Sequence, residues 1–209
     1  MNEAEKIIDG LDKVFAIATT GFDDFKKNAK EVASGYESKA ASSGDWSKAA
    51  SSGNGSTAAS SGNGSTAASS GDWSKSSCKG ECSACSAVGY RAAVKGDIGS
   101  LIMASEYKKD GSHFIPVGGK ADIIDGKILK PDCWYIVENG EWVEVDFTDG
   151  IFSYVISSKN GVKKVKDEKG KVMYVVTDGE NYAHGDTIQD ARESLVYKIS
   201  SRDTSEYEG

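Results

Sequence analysis

Between residues 34 and 96 small and polar residues alternate with a period of nine. Aligned on glycine, the units read SGYESKAAS, SGDWSKAAS, SGNGSTAAS, SGNGSTAAS, SGDWSKSSC, KGECSACSA and VGYRAAVKG. Each unit predicts a turn and then a short strand. Gly followed by Asp or Asn, as at Gly44-Asp45 and Gly53-Asn54, supplies the positive φ of a tight turn. In Trp46-Ser47-Lys48-Ala49-Ala50 the strand alternation sends Ser47 and Ala49 to one side and Trp46, Lys48 and Ala50 to the other. Ser and Ala recur at the first pair of positions, while the second set varies, so small residues face in and variable ones out. The pattern predicts a narrow β-solenoid. Nine residues are too few to close a coil. An interior of methyls and hydroxyls would leave a void in a three-sided coil, which favours two units and about 18 residues per turn. The competing pull is the recurrence of Asp-Trp-Ser-Lys at 45–48 and 72–75, a spacing that would stack Trp46 on Trp73.

The flanks carry other periods. Leu11, Phe15, Ala18, Phe22, Phe25, Ala29 and Val32 follow a four-three spacing, which predicts an amphipathic helix over about 2–33. Its apolar stripe needs a cover: the open end of the solenoid, a second copy, or a partner. From about Asp97 apolar strand-like runs appear at Leu101–Met103, Phe114–Ile115, Cys133–Val137, Trp142–Val145, Phe152–Ile156 and Met173–Val176. Hairpin signals stand at Asp125-Gly126, Asn139-Gly140, Asn160-Gly161 and Asp178-Gly179. One helix closes the pattern, with Thr187-x-x-Asp190 as its cap and Ile188, Ala191, Leu195 and Ile199 along one face. The expected fold class is mainly β with some α. It comprises an N-terminal amphipathic helix (1–33), a nonapeptide-repeat β-solenoid (34–96), a β-hairpin-rich domain (97–148) and a small α+β domain ending in a helix (149–209).

Charge changes this picture little. The net charge of −7 is spread as −2 over 1–33, +2 over 34–96 and −7 over 97–209. No basic footprint for nucleic acid is present. No apolar run is long enough to span a bilayer, and the charged opening Met1-Asn2-Glu3-Ala4-Glu5-Lys6 does not read as a secretory signal. The expected location is therefore the cytoplasm of the host cell.

The repeat followed by Gly96-Asp97-Ile98-Gly99, then Lys130-Pro131-Asp132-Cys133-Trp134-Tyr135 and Asn139-Gly140-Glu141-Trp142-Val143-Glu144-Val145, resembles a poorly characterised family of nonapeptide-repeat proteins of bacteriophages and gut Firmicutes. That resemblance covers about 34–146 and implies a mobile-element accessory protein. It carries over no catalytic residue. The repeat is also distantly similar to the β-roll heads of trimeric adhesins. Tyr174 to Leu195, a strand, then Ala183-His184-Gly185-Asp186-Thr187, then a helix, is similar to the antitoxin half of a toxin–antitoxin pair.

Candidate chemistry is sparse. Cys78, Cys82 and Cys85 have a spacing seen in cluster enzymes, and Cys133, His113 or His184 could complete a zinc site. The downstream hairpins do not supply the barrel that a cluster enzyme needs, so the thiols read as small semi-apolar fillers standing in for Ser and Ala. Neither metal nor cofactor is expected. No phosphate loop or nucleophile elbow occurs, and the chain reads as a non-enzyme. Trp46 and Trp73, with Lys48 and Lys75, occupy the outward columns and are the candidate partner-binding residues. The expected partner is a host or phage protein, with a homo-oligomer through the N-terminal helix as a further possibility. The concrete expectation is an inhibitor of a host defence complex of the anti-CRISPR kind. The alternative is a structural virion, tail or surface component.

Overall fold

The computed structural model describes residues 31–200. The chain forms two compact units, Met1–Trp142 and Val143–Gly209. The helix expected over 2–33 lies outside the described residues up to position 30. Its last positions belong instead to a strand, β1 (Glu31–Ser34).

In the first unit the nonapeptide repeat is a two-sided β-solenoid of about four turns. After β1 the strands are β2 (Lys39–Ser42), β3 (Lys48–Ser52), β4 (Thr57–Ser60), β5 (Thr66–Ser70), β6 (Lys75–Cys78), β7 (Ala84–Val88) and β8 (Ala93–Gly96). Odd strands pair in parallel in one sheet and even strands in the other. Lys48 pairs with Thr66 and Lys39 with Thr57, so each coil takes 18 residues, or two nonapeptides. The three-sided coil is thereby excluded, because Ala and Ser side chains fill only the gap between two sheets.

The array does not stop at residue 96. β9 (Leu101–Asp110) adds in parallel to β7 and then turns back through Asp110-Gly111 into the antiparallel β10 (His113–Ile123). β11 (Trp134–Glu138) packs antiparallel on β8. Part of the region expected to be hairpins is therefore solenoid. The inward columns grow along the rod, Ala49–Ala67–Cys85–Ile102 in one sheet and Ala40–Ala58–Ser76–Val94 in the other. Ile124, Leu129, Tyr135 and Val137 join the same core and close that end. Asp125-Gly126 is not a hairpin: the Asp125 carboxylate accepts the N–H groups of Lys127, Ile128 and Leu129 and folds the connection locally.

Buried hydroxyls inside the coil bond to one another and to backbone. Ser51 donates to Ser56 at 3.3 Å, Ser60 to Ser65 at 3.2 Å and Ser69 to Ser74 at 3.3 Å, while Ser47 donates to the Ser61 carbonyl at 3.1 Å. A buried hydroxyl is tolerated when partnered, which is why serine can alternate with alanine in this core.

β12 (Glu141–Asp146) begins in the first unit and ends in the second. The second unit continues with β13 (Ser153–Lys159), β14 (Val162–Asp167), β15 (Val172–Thr177) and β16 (Tyr182–Gly185), all antiparallel, followed by α1 (Ile188–Ser200). Ala191 and Leu195 of α1 pack on Val176 and Ala183. The expected cap is present: Thr187 Oγ1 accepts from the Asp190 N–H at 3.1 Å and Asp190 Oδ2 from the Thr187 N–H at 3.0 Å.

Candidate interaction surface

The repeat turns line the two edges of the rod, and their geometry explains the side chains there. Positive φ falls on the glycine, for example 98° at Gly44, and again two residues later, at Trp46 (61°), Gly64 (67°) and Cys82 (55°) on one edge. On the other edge it falls at Glu37 (52°), Gly55 (71°), Trp73 (61°) and Arg91 (54°). Asp and Asn between these positions do not supply positive φ, as the turn reading expected. They serve as acceptors for the next coil: Asn63 N–H donates to Asp45 Oδ1 at 2.9 Å, Glu81 N–H to Asn63 Oδ1 at 3.0 Å, Asp72 N–H to Asn54 Oδ1 at 3.1 Å and Tyr90 N–H to Asp72 Oδ1 at 3.0 Å. Sequence reasoning alone does not reveal this carboxylate and amide ladder. Its signal is the Asp or Asn after glycine at 45, 54, 63 and 72, which a hairpin explains equally well.

Trp46 stands 66% exposed on its edge. A Cβ on Gly64 would come within 2.7 Å of its Cε3. The indole therefore lies over the next coil, seated on a glycine, with much of its surface open. Trp73 is half-buried on the opposite edge, where its ring meets Tyr90 edge-on at 6.0 Å and Tyr90 stacks on Phe114 at 4.0 Å. The Arg91 guanidinium lies 5.0 Å from the Trp73 ring and 5.2 Å from that of Tyr90. Because a coil is 18 residues, positions 27 apart fall on opposite edges, so Trp46 does not stack on Trp73. Lys48 lies on the odd-strand sheet and Lys75 on the even-strand sheet. The four candidate partner-binding residues thus form no single patch.

Beside the Tyr90 cluster is a recess of about 230 Å³, lined among others by Arg91, Glu106, Lys108 and Asn139. The buried Glu106 accepts the N–H groups of Asn139 at 2.8 Å and Gly140 at 2.9 Å. Both oxygens are used in holding the β11–β12 turn, so the carboxylate is structural and the recess shows no acid–base pair.

The cysteines are not brought together as a ligand set. Cys78 and Cys85 are buried between the sheets, whereas Cys82 sits in an edge turn at positive φ. Burial, reinforced by neighbouring Cys78, pushes the Cys85 thiol well above its usual range, and its Sγ donates to the Lys95 carbonyl at 3.3 Å. Among the described residues no three His, Cys, Asp or Glu side chains are grouped to hold a metal ion. His184 instead bonds through Nδ1 to Asp149, which also pairs with Lys198.

Comparison with family models, with curated proteins and with solved structures gives no match. No helix among the described residues is long and apolar enough to cross a membrane.

Proposed function

We propose that the protein is a non-enzymatic binding protein whose solenoid edge presents Trp46 to another protein. The observation that carries this reading is a mismatch between residue and turn. Positive φ at this position suits glycine, which occupies it at 55 and 64, whereas a bulky residue there costs on the order of 1 kcal/mol. The φ of this turn would suit glycine better than Trp46, and the indole, although it lies over Gly64, leaves a large aromatic surface in water where such residues act as binding anchors. A host or phage protein is the partner class. The narrower reading, inhibition of a host defence complex, is supported by the resemblance of the repeat and of 130–145 to phage-borne proteins.

The test is Trp46→Gly, which gives the turn its easier residue. Full-length wild type and variant are immobilised and exposed to lysate of phage-infected cells, and any retained complex is then titrated in purified form. The expected outcome is a melting temperature within a few degrees of wild type with binding weakened at least about tenfold, roughly 1.4 kcal/mol. Strong destabilisation would show that the indole is structural, and undiminished binding would reject it as the anchor. Co-purification with assembled particles irrespective of the variant would favour the virion component.

A further inference from the structure

The chain contains four Asn-Gly pairs, Asn54-Gly55, Asn63-Gly64, Asn139-Gly140 and Asn160-Gly161. Such a pair is chemically labile because the glycine nitrogen, with no side chain to hinder it, can attack the preceding side-chain amide. Attack requires that nitrogen to lose its proton and the Asn amide to swing over it. A held N–H or a held amide therefore blocks the reaction.

Among the described residues three of the four pairs are held. Gly55 N–H donates to the Asp72 carbonyl at 2.8 Å and Gly64 N–H to that of Glu81 at 2.7 Å, while the Asn54 and Asn63 side-chain oxygens accept from the next coil at 3.1 and 3.0 Å. Both reacting groups of each solenoid pair are thus engaged. Gly140 N–H donates to the buried Glu106 carboxylate at 2.9 Å, and an anion beside the nitrogen further opposes loss of its proton. Asn160-Gly161 has the backbone of Asn139-Gly140, with φ of 52° and 74° against 53° and 75°. Yet Gly161 N–H donates to no acceptor among the described residues, the Asn160 side chain bonds to none of them, and both residues are exposed. The two turns differ in the anchor and not in the backbone.

We propose that Asn160 is a site of spontaneous deamidation, and that coil stacking and Glu106 protect the other three pairs. The Gly161 nitrogen bonds to Asn160 Cγ, the bond from Cγ to the side-chain nitrogen breaks, and that nitrogen leaves as ammonia with the proton. Water then opens the resulting succinimide at either carbonyl, which gives aspartate or routes the main chain through the β-carbon as isoaspartate. No oxidant or cofactor is needed. Either product puts a carboxylate on the β13–β14 turn, and isoaspartate also lengthens the backbone between the paired Lys159 and Val162. The ladder positions accommodate aspartate, which stands there already at 45 and 72, but not the longer backbone.

Peptide mapping by mass spectrometry tests this on the full-length protein, kept native or unfolded in urea in the same mildly alkaline buffer. In the native protein Asn160 should convert at least about tenfold faster than Asn54, Asn63 or Asn139, because reaction at a held site waits for local opening. In urea the four rates should fall within about threefold of one another, since each site is then an Asn-Gly pair in open chain. Glu106→Ala should raise native conversion of Asn139 toward that of Asn160 and leave Asn54 and Asn63 unchanged. A held site that converts as fast as Asn160 in the native protein, or an Asn160 that converts only in urea, would overturn the proposal. An unchanged Asn139 in Glu106→Ala would reject the carboxylate as its protector. Should that variant unfold, the native and unfolded rates of wild type decide the matter.

Discussion

The N–H of Asn63 donates to Oδ1 of Asp45 at 2.9 Å, one full coil away in register, and Asn63 in turn accepts from Glu81 at 3.0 Å. Each rung joins successive coils outside the sheets, so the Asp or Asn at 45, 54, 63 and 72 reports on stacking. Asn63→Ala and Asn54→Ala should each lower stability by about 1 kcal/mol, since the orphaned N–H lies near water. The two ladders run on opposite edges, and the double variant should be additive. Urea unfolding checks both expectations, and no change in either single variant would reduce the ladder to decoration.

Glycines of similar conformation should differ in their tolerance of a side chain. Gly44 has φ 98° and a Cβ there would meet nothing within 4 Å, whereas at Gly62, φ 109°, a Cβ would come 2.5 Å from the Gly44 carbonyl. Gly44→Ala should cost only the backbone strain, about 1–2 kcal/mol. Gly62→Ala adds a clash with the neighbouring coil and should cost more than about 3 kcal/mol or disrupt the array. Equal losses in chemical denaturation would mean that coil spacing is not the constraint.

Acid should expose the Asp149 cluster. Partial burial by itself raises this carboxyl, but hydrogen bonds and charge from Lys198 and His184 outweigh it and hold the group below its ordinary value of 3.8. A depressed carboxyl contributes stability that is present in full above its unfolded value and is lost as pH falls through its folded value. Asp149→Asn, which tolerates the local φ of 57°, should therefore be less stable than wild type by a constant margin above about pH 5, with the margin closing below about pH 4. A margin that stays constant down to the acid transition would contradict this.

Thiol chemistry should divide the cysteines in two. Cys82 and Cys133 are partly exposed, whereas Cys78 and Cys85 are buried and burial further opposes ionisation of Cys85. A colorimetric thiol titration of the native protein should show two fast and two slow groups, the slow pair reacting at the fast rate after unfolding. Four equal rates would argue against this interior.

Much of the architecture is legible in the chain because the repeat is a local device. Fixed glycines set the turns, small residues set the gap between sheets, and together they lead to an 18-residue coil. The apolar runs at 101–103, 133–137, 152–156 and 173–176 all form strands, and the Thr187–Asp190 cap is local chemistry that any context preserves. β14 and β16 are not legible in the same way, because Lys163, Lys164 and Lys166 mask one and the other is only four residues long.

Other features depend on register. Which edge carries Trp46 and which Trp73 follows from 18 residues per coil, and a shift to 27 would have placed them together. The role of Asp45 and Asn63 as rungs and the continuation of the array into β9 both arise from contacts between residues distant in sequence. Periodicity determines which side chains point in or out, since alternation is a property of the strand itself. Only the stacked structure decides which outward side chains meet water, because that depends on what the neighbouring coils set beside them: Trp46 is 66% exposed, whereas Trp73, beside Tyr90 and Arg91, is half-buried.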